Sequence, residues 1–273
     1  MTHALSASLQ GVSVRPDGMR KVWRALPDEV PVAMVFDGTT LAVMMATPGD
    51  IEDFALGFAL TEGIIVRRDE IAEFEVADHA AGVEARIWLR ADRGDALKAR
   101  RRFMAGPVGC GLCGIDSIEQ AARGVPQVPP SAMRLSHQDV ALASDGLRRL
   151  QPLRDQTGAT HAAGFLRPGE GVVIAREDVG RHNALDKLIG ALCRAGIDPA
   201  TGAFVMTSRL SVELVQKCAM AGCPVLISVS APTAAAQRLA EGAGITLAAF
   251  ARGAGFDVYS HPGRIASEVS HAA

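Results

Sequence analysis

The sequence has few aromatic side chains, no long apolar runs and no dominant charge of one sign. Phe, Trp and Tyr make up 4% of its 273 residues, so we expect a mainly aliphatic core. No apolar run approaches the roughly 20 residues that a membrane-spanning helix needs, so no membrane span is predicted. The formal net charge of −2 argues against a globally basic protein that binds nucleic acid.

Cysteine is also scarce. The five cysteines are an odd number and too sparse for the disulfide framework of a small secreted protein. Residues 1–10 have neither the charged nor the continuous apolar segment of a signal peptide. We therefore expect a cytoplasmic enzyme or enzyme accessory, in which thiols more often do chemistry than hold the fold together.

The first half of the chain predicts a small α+β domain over residues 21–130. Residues 1–20 show no sustained period and are predicted to be a weakly ordered lead. Asp37-Gly38, between two apolar runs, predicts a β-hairpin turn. The predicted strands are 32–36, 41–46, 73–76 and 83–89, and the predicted helix is 51–62.

The second half of the chain has a different pattern. Three prolines within 124–131 predict a linker. Beyond it, apolar runs alternate with helical patterns of about 10–15 residues, which is typical of an α/β layered sheet. The predicted strands are 172–175, 203–206, 225–229 and 245–250, and the predicted helices are 181–194, 210–221 and 233–241. The fold prediction is therefore an α+β domain followed by an α/β domain over 131–273.

Two cysteines, Cys110 and Cys113, stand in the glycine-rich segment GCGLCG at 109–114. Asp116 to Glu119 has the spacing of a capping box, so a helix is predicted to begin just after the motif. A helix N-terminus lowers the pKa of a nearby thiol and favours the nucleophilic thiolate. The upstream run 90–102, with six basic and two acidic side chains, would act in the same direction, although a solvated helix face also explains it.

Several roles fit such a pair of thiols. A structural zinc site needs two further ligands, and the other close pair, Cys218 and Cys223, is predicted to lie in the core. A thioredoxin-like redox pair is expected to follow a strand and to open a helix directly. A zinc deaminase needs a His-x-Glu motif, which none of the seven histidines provides. Zinc-ligand, redox and nucleophilic roles stay open at this point.

Polar segments follow four predicted strands in turn. The segment 176–183, REDVGRHN, carries five ionisable side chains, for which a capping and salt-bridge network is the alternative to ligand binding. Hydroxyl groups follow the next two strands, at 207–208 and 230–233, with helix capping as the simpler explanation. The segment 250–255, FARGAG, offers glycines and an arginine to a phosphate. Because ligands of open α/β sheets bind at the carboxyl ends of strands, these segments predict one crevice for an anionic ligand.

Five segments also carry a resemblance to a known family. They are GCGLCG at 109–114, TGATHAAGF at 157–165, REDVGRHNALDKLIG at 176–190, TSRLSVELVQKCAMAGCPVLISVSAPT at 207–233 and FARGAGFDVYS at 250–260. In these segments, and in order across nearly all of 30–260, the chain resembles the formate dehydrogenase accessory sulfurtransferase family FdhD. Many members have a glycine between Ser208 and Arg209, so the turn here is expected to be tighter.

The resemblance implies a cytoplasmic sulfur carrier. Such a protein accepts sulfur from a cysteine desulfurase and passes it to the molybdenum cofactor of formate dehydrogenase, the Mo-bis(molybdopterin guanine dinucleotide). The family's persulfide carrier carries over to Cys110, and its second motif cysteine to Cys113. The family's cofactor-binding segment carries over to Phe250, Ala251, Arg252, Gly253, Ala254 and Gly255.

The resemblance also implies a cytidine-deaminase-like fold for the second domain and a homodimer. No tightly bound metal, no nucleic-acid partner and no membrane partner is expected. A non-catalytic chaperone that binds the molybdenum cofactor or zinc is the alternative.

Overall fold

The computed structural model describes residues 3–90 and 124–266 of the protein. Cys110, Cys113 and the helix predicted from Asp116 lie outside the described residues, as does the basic run beyond Arg90. The predictions made for them stay predictions. The described residues form a mixed α/β fold with four sheets.

The N-terminal segment is a β-ribbon, which differs from the weakly ordered lead predicted over 1–20. Strands β1 (Ser6–Arg15) and β2 (Gly18–Pro27) pair antiparallel along their whole length. A turn at Pro16-Asp17 joins them, and Gly18, with a φ of 129°, follows it. The prediction failed because nearly all ribbon side chains are exposed, so no buried face imposes an alternating pattern on the sequence.

A four-stranded sheet with one covering helix comes next. Its elements are β3 (Val30–Phe36), β4 (Thr39–Ala46), α1 (Ile51–Thr61), β5 (Ile71–His79) and β6 (Gly82–Leu89). The strand order is β4-β3-β6-β5, with β3 and β6 parallel. Asp37 and Gly38 form the predicted hairpin turn, with positive φ values of 48° and 73°.

A six-stranded sheet, with helices around it, dominates the second half. Its strands are β8 (His161–Arg167), β9 (Gly171–Asp178), β10 (Ala203–Met206), β11 (Val225–Ser228), β12 (Thr246–Arg252) and β13 (Gly255–Ser260). The helices are α2 (His137–Ala141), α3 (Ala143–Arg148), α4 (Pro152–Thr157), α5 (Arg181–Ala195), α6 (Val212–Met220) and α7 (Ala234–Ala243). The strand order is β13-β12-β11-β10-β8-β9, and a small parallel pair joins β7 (Leu135–Ser136) to β14 (Ile265–Ala266).

Separate hydrophobic cores lie on the two faces of the six-stranded sheet. Residues of α5, α6 and α7 pack on one face, and residues of α2 and α3 pack on the other. Every residue of β10 and of β11 is buried. This confirms the prediction that uninterrupted apolar runs form strands covered on both sides.

The mixed α/β class and the alternation of strands with helices are confirmed. The domain limits and the cytidine-deaminase-like description stay predictions. Within the predicted linker 124–131, Val128 already belongs to the second half of the molecule. It is buried in the core beside α5, α6 and α7, and its N–H donates to Ala243 O at 2.9 Å. No helix in the described parts of the chain is long and apolar enough to cross a membrane.

Helices α1 and α5 cross in close contact and join the two halves. A Cβ atom on Gly57 would overlap the carbonyl oxygen of Asp186, and one on Gly190 would overlap the carbonyl oxygen of Asp53. Glycine in a helix interior costs about 0.5–1 kcal/mol relative to alanine. Its presence at both positions is explained by the backbone-to-backbone approach of the two helices.

Candidate functional site

The carboxyl ends of the parallel strands β10, β11 and β12 meet at one edge of the six-stranded sheet. Because β8 runs antiparallel to β10, its first residue, His161, lies at the same edge. Backbone hydrogen bonds connect the segments there: Leu210 N donates to Ala231 O at 3.1 Å, and Phe250 N donates to Ser230 O at 3.3 Å. The structure thus brings the predicted strand-end segments together.

Most hydroxyl groups at this edge serve the fold. Thr233 Oγ1 accepts a hydrogen bond from Ala236 N at 3.1 Å and caps α7, as the simpler explanation predicted. Thr207 Oγ1 accepts from Ala162 N at 2.9 Å and ties β10 to β8. These hydroxyls are therefore already engaged in holding the edge together.

Much of the segment 176–183 holds the two halves of the molecule together. Asp53, in the first turn of α1, is almost fully buried. Arg176 Nη2 lies 2.7 Å from one of its carboxylate oxygens, and Arg194 Nη1 lies 2.8 Å from the other. The predicted alternative of a structural salt-bridge network is the correct one for Arg176.

Asp178 also belongs to a structural salt-bridge network. Its Oδ2 lies 2.7 Å from Lys187 Nζ, and neither side chain is exposed. Lys187 Nζ also donates to Thr47 O at 2.8 Å, while Thr47 N donates to Asp178 Oδ2 at 3.0 Å. Asn183 Nδ2 donates to Asp178 Oδ1 at 3.0 Å and to Met45 O at 2.9 Å. A buried network therefore fixes the end of β4 against α5.

Glu177 likewise has a structural role. Its carboxylate accepts hydrogen bonds from Leu153 N at 2.8 Å and Arg154 N at 2.9 Å, and so caps α4. Just beyond the segment, Asp186 is held by Lys217, whose Nζ lies 2.8 Å from Asp186 Oδ2. The acidic residues of this region are thus taken up by the fold.

Arg181 and His182, which begin α5, are the exceptions. Arg181 Nε and His182 Nε2 are buried without a hydrogen-bond partner, and so is Ser211 Oγ at the N-terminus of α6. A buried polar group without a partner costs about 1–3 kcal/mol, so three such atoms call for an explanation. Helix N-termini favour anions, and this corner of the edge therefore has the chemistry of an anion site.

The histidines at this corner are uncharged near neutral pH. Burial lowers the pKa of His182 to about 4, and the positive charges of Arg181 and Lys217 act in the same direction against the opposing effect of Glu213. Burial and Arg181 also lower the pKa of His161. Lys217 is paired with Asp186 and Glu62, so the positive charge open to a ligand at this corner is that of Arg181 and the helix ends.

The segment 250–255 is a hairpin, which differs from the loop expected after a strand that ends at Phe250. Strand β12 continues to Arg252, which pairs with Gly255 at the start of β13. Phe250 lies at an irregularity in this pairing with a φ of 54°, and Gly253, with a φ of 60°, makes the turn. The chain kinks at Phe250 instead of ending the strand there.

This hairpin presents an aromatic pair and an arginine at the edge. The Phe250 ring is 45% exposed and lies 6.4 Å from the ring of Tyr259. Arg252 is exposed, and its Nε donates to Val229 O at 2.9 Å, whereas Ala251 is fully buried. From β8 to β12 the edge spans three strand spacings, about 14 Å, which suits an elongated ligand.

Three cysteines lie within the described residues. Cys218 and Cys223 are fully buried, and burial raises the pKa of the Cys218 thiol well above its ordinary value. This confirms their prediction as core residues. Cys193, on α5, is half-buried against the hydrophobic core between the four-stranded sheet and α1. Within residues 3–90 and 124–266, no group of three or more His, Cys, Asp or Glu side chains is placed to hold a metal ion.

Thr47, Asp53 and Ser211 were not identified from the sequence. Thr47 and Asp53 give no local signal because their partners Asp178 and Arg176 lie 131 and 123 residues away. Ser211 precedes the first residue of α6, Val212, but the helix predicted over 210–221 placed it inside the helix.

The chain is similar to curated and solved proteins over most of its length. It is 53% identical over 242 residues to a sulfur carrier protein FdhD of Agrobacterium fabrum, covering 89% of each chain. It is 51% identical to the protein of the same name in Brucella abortus, covering 96% of this chain and 97% of the other. A crystal structure of a formate dehydrogenase accessory protein from Desulfotalea psychrophila matches with a TM-score of 0.77 and 26% identity, covering 96% of this chain and all of the other.

The family model agrees with these similarities. The model of the FdhD/NarQ family matches residues 27–266, which include the four-stranded sheet, the six-stranded sheet and the edge described above. The resemblance seen in the sequence motifs is therefore confirmed. The chain belongs to the FdhD/NarQ family.

Proposed function

We propose that this protein is a sulfur carrier for formate dehydrogenase, with Cys110 as the persulfide-bearing residue. Relatives named sulfur carrier protein FdhD are about half identical to this chain over most of its length. The feature that carries the proposal is the GCGLCG segment at 109–114, which supplies a nucleophilic thiol between glycines.

Loading of Cys110 is a thiol–persulfide exchange with a cysteine desulfurase. The Cys110 thiolate attacks the outer sulfur of the donor's persulfide and forms a new S–S bond. The S–S bond of the donor breaks, and its cysteine leaves as a thiolate. In delivery, the acceptor supplies the electron pair of the new bond to the outer sulfur, and Cys110 leaves as a thiolate. Cys113 stands close enough in sequence to influence either step.

The acceptor in this proposal is the Mo-bis(molybdopterin guanine dinucleotide), bound as a substrate along the carboxyl edge of the six-stranded sheet. The residues of this edge fit an anionic dinucleotide. Arg181 Nε and Ser211 Oγ are buried donors without partners, at two helix N-termini. At the β12–β13 hairpin of the same edge, the exposed Phe250 side chain offers a stacking surface for a base. Arg252 lies on the same hairpin.

Gly253, Ala254 and Gly255 complete the proposed cofactor segment. All three are exposed, so their backbone groups are open to a ligand, while the Ala251 side chain is buried and its carbonyl oxygen accepts a hydrogen bond from Ser144 Oγ. The proposed setting is the cytoplasm, with a cysteine desulfurase as donor and formate dehydrogenase as client.

Complementation of a host that lacks its own copy of this protein tests the role of Cys110. We expect no formate dehydrogenase activity with Cys110→Ala and full activity with the control Cys193→Ala, which changes a half-buried cysteine far from the motif in sequence. Retained activity in Cys113→Ser would exclude a dithiol redox role, since a disulfide needs both thiols. Full activity with Cys110→Ala would show that the proposal is wrong.

Titration with guanosine diphosphate tests the proposed cofactor edge separately. We expect Arg181→Gln to weaken binding by about tenfold or more, the loss typical of a charged hydrogen-bond donor. Arg238→Gln, an exposed arginine on α7, is the control and leaves affinity unchanged. Equal affinities for all three proteins would remove Arg181 from the site.

A further inference from the structure

An acidic residue, Asp257, lies beside the segment proposed to bind an anionic cofactor. It is exposed in the middle of β13, and it is the single Asp or Glu in the sequence from Phe250 to Ser260. Because like charges repel, a carboxylate at this place weakens the binding of phosphate groups. It is compatible with an anionic ligand where it faces a part of that ligand that carries hydrogen-bond donors and no negative charge.

Asp257 shares a face of the β12–β13 hairpin with the aromatic pair. Its cross-strand partner on β12 is Ala249, the residue before Phe250. The Tyr259 hydroxyl donates to Asp257 Oδ2 at 3.4 Å, and the Phe250 ring lies 6.4 Å from the Tyr259 ring. Phe256, the neighbour of Asp257, packs instead into the core beside α2 and α3. The carboxylate and the two rings therefore form one exposed surface.

The carboxylate of Asp257 is held in place but remains open to a ligand. The Tyr259 hydroxyl occupies one position on Oδ2, and Oδ1 has no hydrogen-bond partner among the described residues. A carboxylate oxygen accepts more than one hydrogen bond, so both oxygens of Asp257 can still receive donors. The surface thus combines a ring for stacking with a carboxylate that can accept two hydrogen bonds from the edge of a stacked base.

Guanine is the base whose hydrogen-bonding edge suits this carboxylate. An ionised carboxylate accepts hydrogen bonds and donates none. The Watson–Crick edge of guanine presents two neighbouring donors, N1–H and the 2-amino group, whereas that of adenine presents one amino group beside an acceptor nitrogen. Stacking on an aromatic ring distinguishes the bases poorly, because every base has a π-face. Discrimination between bases therefore falls to the carboxylate.

We infer that Asp257 selects guanine by accepting hydrogen bonds from N1–H and the 2-amino group of a base stacked on Phe250. The inference rests on the proposed cofactor edge and adds the residue that distinguishes guanine from other bases. The phosphates of the ligand then extend away from Asp257, toward the partnerless donors Arg181 Nε and Ser211 Oγ. The carboxylate and the phosphate charges are thereby kept at different ends of the edge.

Titration calorimetry of the full chain with four nucleoside diphosphates tests the role of Asp257. We expect the wild type to bind guanosine diphosphate at least about tenfold more tightly than adenosine diphosphate. Inosine diphosphate, whose base lacks the 2-amino group of guanine, is expected to lie between the two. Asp257→Asn is expected to lose this order and to bind xanthosine diphosphate about tenfold or more tightly than the wild type does. The new amide donates to the 2-oxo group of xanthine, and its oxygen still accepts from N1–H.

The gain of xanthosine diphosphate binding separates base recognition from damage to the hairpin, because a misfolded hairpin would bind every nucleotide more weakly. Asp78→Asn is the matched control, since Asp78 is exposed on β5 of the four-stranded sheet, and it is expected to keep the wild-type order of affinities. Equal wild-type affinities for guanosine and adenosine diphosphate, or a wild-type order in Asp257→Asn, would overturn the role of Asp257 and leave the proposed cofactor edge standing. A wild type that binds none of the four nucleotides would overturn both.

Discussion

At the scale of single residues, Asp178 and Lys187 show how a polar sequence motif serves stability. Both side chains are fully buried, and each is paired with the other and with the backbone of Thr47. A buried ion pair adds little compared with apolar packing, but the loss of one partner leaves an uncompensated charge. The motif residues are thus constrained by their neighbours before any ligand is considered.

Lys187→Met is expected to lower the free energy of unfolding by about 3–5 kcal/mol, because buried Asp178 loses its cationic partner and the Thr47 carbonyl loses its donor. Urea denaturation followed by circular dichroism measures the change. Arg148→Met is the control, since it removes an exposed ion pair with Asp155 and costs at most about 1 kcal/mol. Similar losses of unfolding free energy in the two variants would contradict the structural role of the buried Asp178–Lys187 pair.

His182 is expected to make stability depend on pH. Its pKa is about 4 in the folded protein and 6.5 in the unfolded chain, so only the unfolded chain binds the proton between these values. The stability that neutral His182 contributes is complete above pH 6.5 and is lost as the pH falls toward 4. By pH 4 the loss approaches roughly 3 kcal/mol.

Comparison with His182→Gln isolates this effect from the titration of carboxylates. The difference in unfolding free energy between wild type and variant is expected to shrink from pH 7 to pH 4, as measured by urea denaturation at each pH. Parallel pH profiles for the two proteins would show that His182 does not titrate differently in the folded state.

At the scale of elements, the close contact between α1 and α5 holds the two halves of the molecule together. The carbonyl oxygens of Asp186 and Asp53 occupy the space that side chains at Gly57 and Gly190 would need. A larger residue at either position must push the helices apart. It would also disturb the neighbouring contacts of Asp53 with Arg176 and Arg194.

Gly57→Ala is expected to destabilise the protein by more than about 2 kcal/mol, which a thermal melt would detect as a clearly lower Tm. Gly242→Ala on α7 is the matched control, because a Cβ atom there meets nothing within 4 Å. It is expected to stabilise by about 0.5–1 kcal/mol through the better helix propensity of alanine. An unchanged Tm in Gly57→Ala would mean that the two helices are not in close contact.

The sequence predicted those elements whose apolar spacing is set by a buried face. The β3–β4 hairpin, α1, β10 and α5 are found within a few residues of their predicted positions. Strand β8 was not predicted, because its run HAAGFLR is short of large apolar residues. The ribbon was not predicted, because its exposed faces carry no burial pattern.

The candidate site was predictable only in part. The strand-end segments were located from the order of strands and helices, because parallel strands end at a common edge. The division of the segment 176–183 into structural residues and the open pair Arg181 and His182 was not predictable. It depends on partners such as Thr47 and Asp53, which are distant in sequence and are brought close only by the folded chain.

At the scale of the whole molecule, the proposed cofactor-binding edge and the proposed sulfur-bearing thiol lie in different parts of the chain. The buried networks between α1, β4 and α5 hold together the part of the chain that carries the edge proposed to bind an anionic dinucleotide. The proposed sulfur-bearing thiol, Cys110, lies in a separate glycine-rich segment outside the described residues. The central claim is that sulfur resides on this one cysteine of five.

Mass spectrometry of the protein after incubation with a cysteine desulfurase and free cysteine tests this claim most directly. We expect a gain of one sulfur atom, about 32 Da, on the Cys110 peptide, and we expect a thiol reductant to remove it. Cys193, Cys218 and Cys223 are expected to stay unmodified, with the two buried thiols protected by the core. Sulfur found on another cysteine, or on none, would show that Cys110 is not the sulfur carrier.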